Sequence, residues 1–339
     1  MNSGARVPDR ELTLKGWHRL AVLLLGWQVQ AGAATLDSCI QERLQTADPT
    51  LTVGEIKADC EVLHDQDYRR EPLAIERLVM ERRTEWNPFV ITPHKQNYIL
   101  PFTYMHHPNN DPYEDLAEES LKHQEAKMQV SFKVPLTEHN LLADGDSLHF
   151  GFTALSFWQV YNRELSAPFR ETNYQPEVFY SLPLSLQRTD HAAMLRLGFE
   201  HQSNGQTQVL SRSWNRIYAQ LFYARNNYLI AFRPWYRIPE NPKDDPDDAS
   251  GDDNPDIDDY MGYFELTGVV QHADMEFSAL LRNNLRGDNK GAIELGVSFP
   301  LFNRLRGYLQ YFNGYGESLI DYDHRSQRVG LGILITDLM

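Results

Sequence analysis

Cysteine is almost missing from this 339-residue chain, which holds only Cys39 and Cys60. Neither is a credible nucleophile, and a metal site built on two cysteines would need further close ligands that no tight His/Cys spacing supplies. In an oxidising compartment the two could pair and staple a short N-terminal module. Repeated apolar runs of about 20 residues are also missing. With a mean hydropathy of -0.51 and 23% charged residues, this excludes a bundle of membrane-spanning helices. Positive charge is in deficit, and a formal net charge of -15 argues against nucleic acid as a partner. Much of the acidic excess lies between Lys243 and Asp259. That run lacks the spacing of a Gly-centred calcium loop, because Ala249 replaces a ligand and Gly251 falls out of place. It reads as a solvated external loop.

The N-terminus carries an address. Arg6, Arg10, Lys15 and Arg19 precede the apolar run Leu20–Gly26, and Ala31-Gly32-Ala33 offers a small-residue cleavage site. Residues 1–33 therefore read as a secretory signal peptide; as a membrane anchor the apolar run is too short. Residues 34–95 form a second segment of different character, expected to be periplasmic, with a short amphipathic helix from about Pro72 to Glu85.

Beyond Asn97 the apolar period changes to two, and twelve candidate strands follow. They are Asn97–Tyr104, Lys127–Leu136, Ser147–Trp158, Glu177–Leu184, Ala193–Ser203 and Trp214–Ala224, then Tyr228–Ile238, Tyr260–Gln271, Met275–Arg282, Ala292–Phe299, Leu305–Tyr315 and Gln327–Ile335. Most have the length of about 9–11 residues that a tilted strand needs to cross a bilayer. Short turns at Arg225-Asn226-Asn227 and Phe302-Asn303-Arg304 alternate with long polar connections, as in outer-membrane barrels. The expectation is an all-β, twelve-stranded antiparallel transmembrane barrel over residues 96–339.

His201 and Ser203 are two apart, so in a strand they share a face with Leu195, Leu197 and Phe199. Asn215 shares its face with Ile217, Ala219 and Leu221, and a hairpin could fold it back beside them. A nucleophile, a base and a residue to orient the base are thus available on one strand pair. They lie at the end of an apolar face. In a soluble protein that face would be core and the site inaccessible; in a membrane barrel it looks at lipid, where a lipid-cleaving site belongs. From the residues alone, Ser203 and His201 could also be rim residues of a passive porin-like barrel, or belong to another lipid-modifying barrel such as a lipid A deacylase or acyl transferase.

Four stretches carry a more specific signal. They are Ser166-Ala167-Pro168-Phe169-Arg170-Glu171-Thr172-Asn173-Tyr174, the run from His201 to Asn215, Asn254-Pro255-Asp256 with Tyr260-Met261-Gly262-Tyr263, and Gly314-Tyr315-Gly316-Glu317-Ser318-Leu319-Ile320-Asp321-Tyr322. On these, the chain resembles the outer-membrane phospholipase A family over roughly residues 87–339. The resemblance implies calcium-dependent hydrolysis of phospholipid acyl esters in the outer membrane, by a homodimer whose site faces the outer leaflet. It implies Ser203 as nucleophile, His201 as general base, Asn215 as its orienter and the Gly205 amide as oxyanion donor. It implies the Ser166 and Gln206 carbonyls and the Ser211 hydroxyl as calcium ligands, all hard oxygens as calcium requires. Gln206 stands where a basic residue is familiar, a change that a backbone ligand survives. The sequence ends Asp337-Leu338-Met339 without the terminal aromatic typical of inserted barrels, which bears on assembly rather than chemistry. Arg170, Glu171 and Tyr174 are expected to be structural.

Overall fold

The computed structural model describes residues 73–113, 120–185, 191–245, 248, 251–302 and 305–338, with isolated helical residues between 40 and 60. The expected signal peptide, Cys39 and the turn residues Asn303 and Arg304 lie outside the described residues. The chain divides into two compact units, Met1–Tyr68 and Arg69–Met339. In the first, Cys60 is buried and disulfide-bonded.

The second unit is a closed antiparallel barrel. Its strands are β1 (Asn97–Met105), β2 (Gln124–Pro135), β3 (Ser147–Trp158), β4 (Phe169–Ser185), β5 (His191–Ser203) and β6 (Ser213–Arg225), then β7 (Tyr228–Arg237), β8 (Phe264–His272), β9 (Met275–Asn283), β10 (Gly291–Phe302), β11 (Leu305–Gly314) and β12 (Ser326–Thr336). Each pairs with its sequence neighbours, and β12 returns to β1 with Val329 opposite Tyr104, so no edge is left unpaired. The two residues Thr92–Pro93 extend β1 along β2, with Thr92 opposite Lys133.

The period-two alternation of the sequence becomes an inside-out protein. Glu125, Lys127, Glu200, Arg216, Arg233 and Arg328 are buried in the lumen, whereas Ile99, Val130, Leu197, Ile217, Ile230, Val270, Leu295 and Leu331 stand exposed on the outer wall. An apolar band of that extent has lipid as its natural surroundings. Inside, the charges satisfy one another: Arg328 lies 2.7 Å from Glu125 and 2.9 Å from Glu317, and Arg233 2.6 Å from Glu200. No helix among the described residues is long and apolar enough to cross a membrane.

Two strand starts differ from the sequence expectation by four residues or more. β4 begins at Phe169 rather than Glu177, because the polar run Arg170-Glu171-Thr172-Asn173 is not a loop. Arg170, Glu171 and Asn173 are buried, so this strand continues with a charged inner face. β8 begins at Phe264 rather than Tyr260. The preceding residues form a short helix, α2 (Ile257–Met261), whose Ile257 and Met261 are both buried, and Gly262 ends it at φ +69°. These two join Trp214, Tyr218, Trp235, Phe179, Leu319 and Tyr322 in an apolar cluster inside the barrel, beneath the long connections.

The helix α1 (Leu73–Thr84) is held by polar contacts to the opposite end of the barrel. Glu81 lies 2.6 Å from Lys133, Arg77 donates to the Asp337 carbonyl at 2.7 Å, and Arg82 donates to the Gly145 carbonyl at 2.7 Å. The connections 106–123, 159–168, 204–212, 238–263, 284–290 and 315–325 leave the end where β5 finishes with Ser203, and the connection 136–146 leaves the opposite end.

Candidate active site

β5 and β6 pair in unbroken register, which places His201 opposite Asn215 and Ser203 opposite Ser213. Between these pairs, Gln202 and Trp214 turn inward; Trp214 is fully buried and its indole N–H donates to Gln202 Oε1 at 2.8 Å. Two residues further down the same strands, Phe199 is 45% and Ile217 54% exposed. His201, Ser203 and Asn215 therefore stand at the upper edge of the apolar outer wall, on the face that meets lipid.

His201 Nδ1 lies 2.9 Å from Asn215 Oδ1. The other end of the amide settles its orientation, because Asn215 Nδ2 donates to Glu240 Oε1 at 2.9 Å and a carboxylate can only accept. With Asn215 Oδ1 facing the ring, Nδ1 must carry the imidazole proton. That leaves Nε2 as the basic nitrogen, on the tautomer a general base needs. The Ser203 hydroxyl has no hydrogen bond among the described residues, so it remains free to rotate. Proton-transfer bonds of this kind often close only when substrate binds.

The loop after Ser203 is closed by one side chain. Asn204 is buried, and its Oδ1 accepts the backbone N–H groups of Gln206 at 3.2 Å and Arg212 at 3.0 Å. Its Nδ2 donates to the Leu210 carbonyl at 2.8 Å and to Glu171 Oε2 at 3.3 Å. Gly205 adopts φ +64°, and a Cβ there would meet the Tyr174 ring at 3.3 Å, so both backbone and space favour glycine. Gly205 is itself exposed, two residues beyond Ser203.

Glu171 carries the connection onward. Its Oε1 accepts the backbone N–H of Ile320 at 3.2 Å, Asn173 Oδ1 accepts that of Leu319 at 2.9 Å, and Arg170 lies 2.8 Å from Asp321. Tyr322 in turn donates to Asp256 at 2.6 Å. Burial first, then the Asp256 carboxylate, raises the Tyr322 phenol well above its usual range, so it remains a donor. Burial alone would raise Asp321, but the Arg170 guanidinium and the Ser318 hydroxyl outweigh it and hold that carboxyl low. The four sequence stretches, far apart along the chain, thus form one hydrogen-bonded rim.

Of the three candidate metal ligands, Gln206 and Ser211 share the loop 204–212, and Ser166 sits in 159–168. Ser166 and Ala167 take φ values of +59° and +51°, two successive left-handed residues without a glycine. The strain is held by fixed neighbours: Ala167 N–H donates to the Asn162 carbonyl at 2.8 Å, and Trp158 donates to the Ala167 carbonyl at 2.9 Å. Ser211 donates its hydroxyl proton to Asp253 at 2.8 Å, which leaves the oxygen lone pairs available. No hydrogen bond is accepted by the Ser166 or Gln206 carbonyl among the described residues.

The acidic segment is only partly the solvated loop that its charge suggests. Asp252 is tied to Arg237 and Asp253 to Lys243, each at 2.6 Å, and Asn254 is fully buried, accepting the Ser213 N–H at 3.1 Å. The contacts of Asn204, Glu240 and Asp253 are not foreshadowed by the sequence. Asn204 sits between two residues already singled out, but its partners are remote in sequence. Glu240 carries no local signal, and Asp253 stands out only as one acid of the Lys243–Asp259 run.

Comparison with known proteins follows the same lines. The family model described as phospholipase A1 matches residues 75–335. The phospholipase A1 of Klebsiella pneumoniae is 39% identical over 74% of this chain and 84% of its own length. A Salmonella typhi outer membrane phospholipase dimer, solved with bound calcium, superposes with a TM-score of 0.69 at 34% identity, over 77% of this chain and 98% of that one. Escherichia coli outer membrane phospholipase A, solved with an active-site asparagine changed to alanine, gives 0.66 at 34% identity, over 75% and 95%.

Proposed function

This chain belongs to the phospholipase A1 family and is a phospholipid-hydrolysing enzyme, and from that premise we propose that it cleaves acyl esters in the outer leaflet of a Gram-negative outer membrane through Ser203, His201 and Asn215. The observation that carries the reading is the outward placement of a hydrogen-bonded His201–Asn215 pair, with Ser203 on the same face, at the edge of a lipid-facing wall.

In this mechanism Ser203 Oγ attacks the ester carbonyl carbon while His201 Nε2 takes its proton. The carbonyl oxygen becomes an oxyanion, and the Gly205 N–H would receive it. Collapse breaks the ester C–O bond, and His201 returns the proton to the departing lysophospholipid oxygen. Water then attacks the acyl-serine by the reverse sequence and frees the fatty acid. Asn215 holds the imidazole on its Nε2-basic tautomer throughout, though as a neutral amide it stabilises imidazolium less than an aspartate would.

Calcium fits the donors present. The Ser166 and Gln206 carbonyls and the Ser211 hydroxyl would hold it, and when bound it would supply positive charge beside the oxyanion. The relative solved as a calcium-bound dimer supports this choice of metal and of assembly. A single barrel offers an acyl chain only one wall. Two barrels set face to face along β5 and β6 would provide a second and could share these oxygen ligands between copies.

The test is fatty-acid release from mixed phospholipid micelles, with and without calcium, by the wild-type barrel and Ser203→Ala. The substitution should remove at least about 10³-fold of the rate while the barrel still folds. Equal release by the folded variant would end the serine mechanism. Release from lipopolysaccharide in preference to phospholipid would redirect the substrate.

A further inference from the structure

We infer that Glu240 is a positioning residue for the Asn215–His201 pair, supplying through a neutral amide the negative charge that an aspartate would otherwise bring. The inference rests on the proposed roles of Ser203, His201 and Asn215 and adds a residue that neither the sequence motifs nor the strand pairing points to.

The geometry is a chain of two hydrogen bonds. Asn215 Nδ2 donates to Glu240 Oε1 at 2.9 Å, and Asn215 Oδ1 faces His201 Nδ1 at 2.9 Å. A carboxylate drawing on the N–H end of an amide pushes electron density toward its oxygen, so bonds in series strengthen one another. Asn215 Oδ1 thereby becomes a better acceptor for the imidazole N–H, most of all when the ring is cationic during attack by Ser203. The same bond prevents the Asn215 amide from flipping and presenting its NH₂ group to His201.

The charge on Glu240 is not spent elsewhere. The basic side chains on either side of it along the chain are engaged, Arg237 at the end of β7 with Asp252 and Lys243 with Asp253. Glu240 itself has no ion-pair partner among the described residues. Its place is set by backbone, since Ile238 N–H donates to the Asn215 carbonyl at 2.8 Å and brings the start of the connection alongside β6. Glu240 is part-buried with Asn215, which limits screening of the interaction by water.

The test uses the full-length barrel in mixed micelles with saturating calcium, and its folded fraction is checked by unheated gel mobility. Glu240→Ala should lower kcat about tenfold, the difference between a charge-assisted and a missing hydrogen bond, with KM changed by less than about twofold. Glu240→Gln keeps an acceptor of the same shape without the charge and should recover part of that loss. In both variants the acid limb of the kcat/KM profile should move to lower pH, because a lost negative charge no longer favours imidazolium. In an Asn215→Ala background, Glu240→Ala should add nothing, since its effect passes through Asn215. A wild-type kcat and acid limb in Glu240→Ala would overturn the inference, as would an equal further loss in the Asn215→Ala background, which would make Glu240 a loop anchor. Ser203→Ala run in parallel separates the two levels: if it stays active the parent reading fails, and if it is inactive only the Glu240 assignment is at stake.

Discussion

Asn204 Nδ2 lies 3.3 Å from Glu171 Oε2, a bond that ties the loop following Ser203 to the top of β4. Through Glu171 that loop is joined to the backbone of Ile320, and through the neighbouring Arg170 to Asp321. The loop proposed to carry the oxyanion amide and two calcium ligands is therefore anchored to the inner rim rather than hanging free in solvent. Anchoring lowers the entropy that must be lost when substrate and cation arrive.

Asn204→Ala removes four hydrogen bonds from that loop and leaves the buried Glu171 with one donor fewer. Activity should fall by about 10- to 100-fold, comparable to losing the support of a metal ligand. The calcium concentration for half-maximal activity should rise. A calcium titration of fatty-acid release checks this, and an unchanged midpoint would separate Asn204 from the cation.

Asn215→Ala should cost less than Ser203→Ala. His201 keeps its proton-accepting nitrogen and loses only its orienting partner, so kcat drops while KM hardly changes. Steady-state kinetics on micellar substrate reads both parameters. If the two variants were equally inactive and KM also rose, Asn215 would have to touch substrate.

Calcium and self-association should rise and fall together, because a ligand that binds only the paired form shifts the equilibrium toward it by mass action. Chelation should reduce both fatty-acid release and the yield of cross-linked dimer, and re-addition should restore both. Ser211→Ala should require more calcium for the same dimer yield. Full activity from a diluted, demonstrably monomeric barrel would rule out the coupling.

Acid should loosen the rim before it opens the strands. Burial opposes ionisation of Asp321 and Glu317, yet Arg170 beside the first, and Arg328 and Lys127 beside the second, hold both carboxyls below their usual range. A depressed folded value contributes stability above the unfolded value and loses it as pH falls, here below about 4. Limited proteolysis of residues 315–325 should accelerate through that window while strand circular dichroism persists. Asp321→Asn should show the faster cleavage already at neutral pH, since Arg170 then keeps one charged partner instead of two.

How much of this was legible in the chain depends on distance along it. The shared face of His201 and Ser203, the lipid-facing direction of that face and the twelve strands all follow from period-two alternation, because neighbouring side chains on an extended backbone must point oppositely. Ser166, Gln206 and Ser211 entered through resemblance, and their joint role remains a proposal. The polar start of β4 and the helix at Ile257–Met261 are not legible in the chain, since burial inside a charged lumen or beneath a loop obeys no local period. What only the tertiary structure decided are the partners separated by dozens of residues: Asn204 with Glu171, Asp253 with Ser211, and Glu240 with Asn215. Those contacts exist because closing the barrel brings the connections of one end over a single rim, and nothing in a short run of sequence encodes which loop will lie beside which.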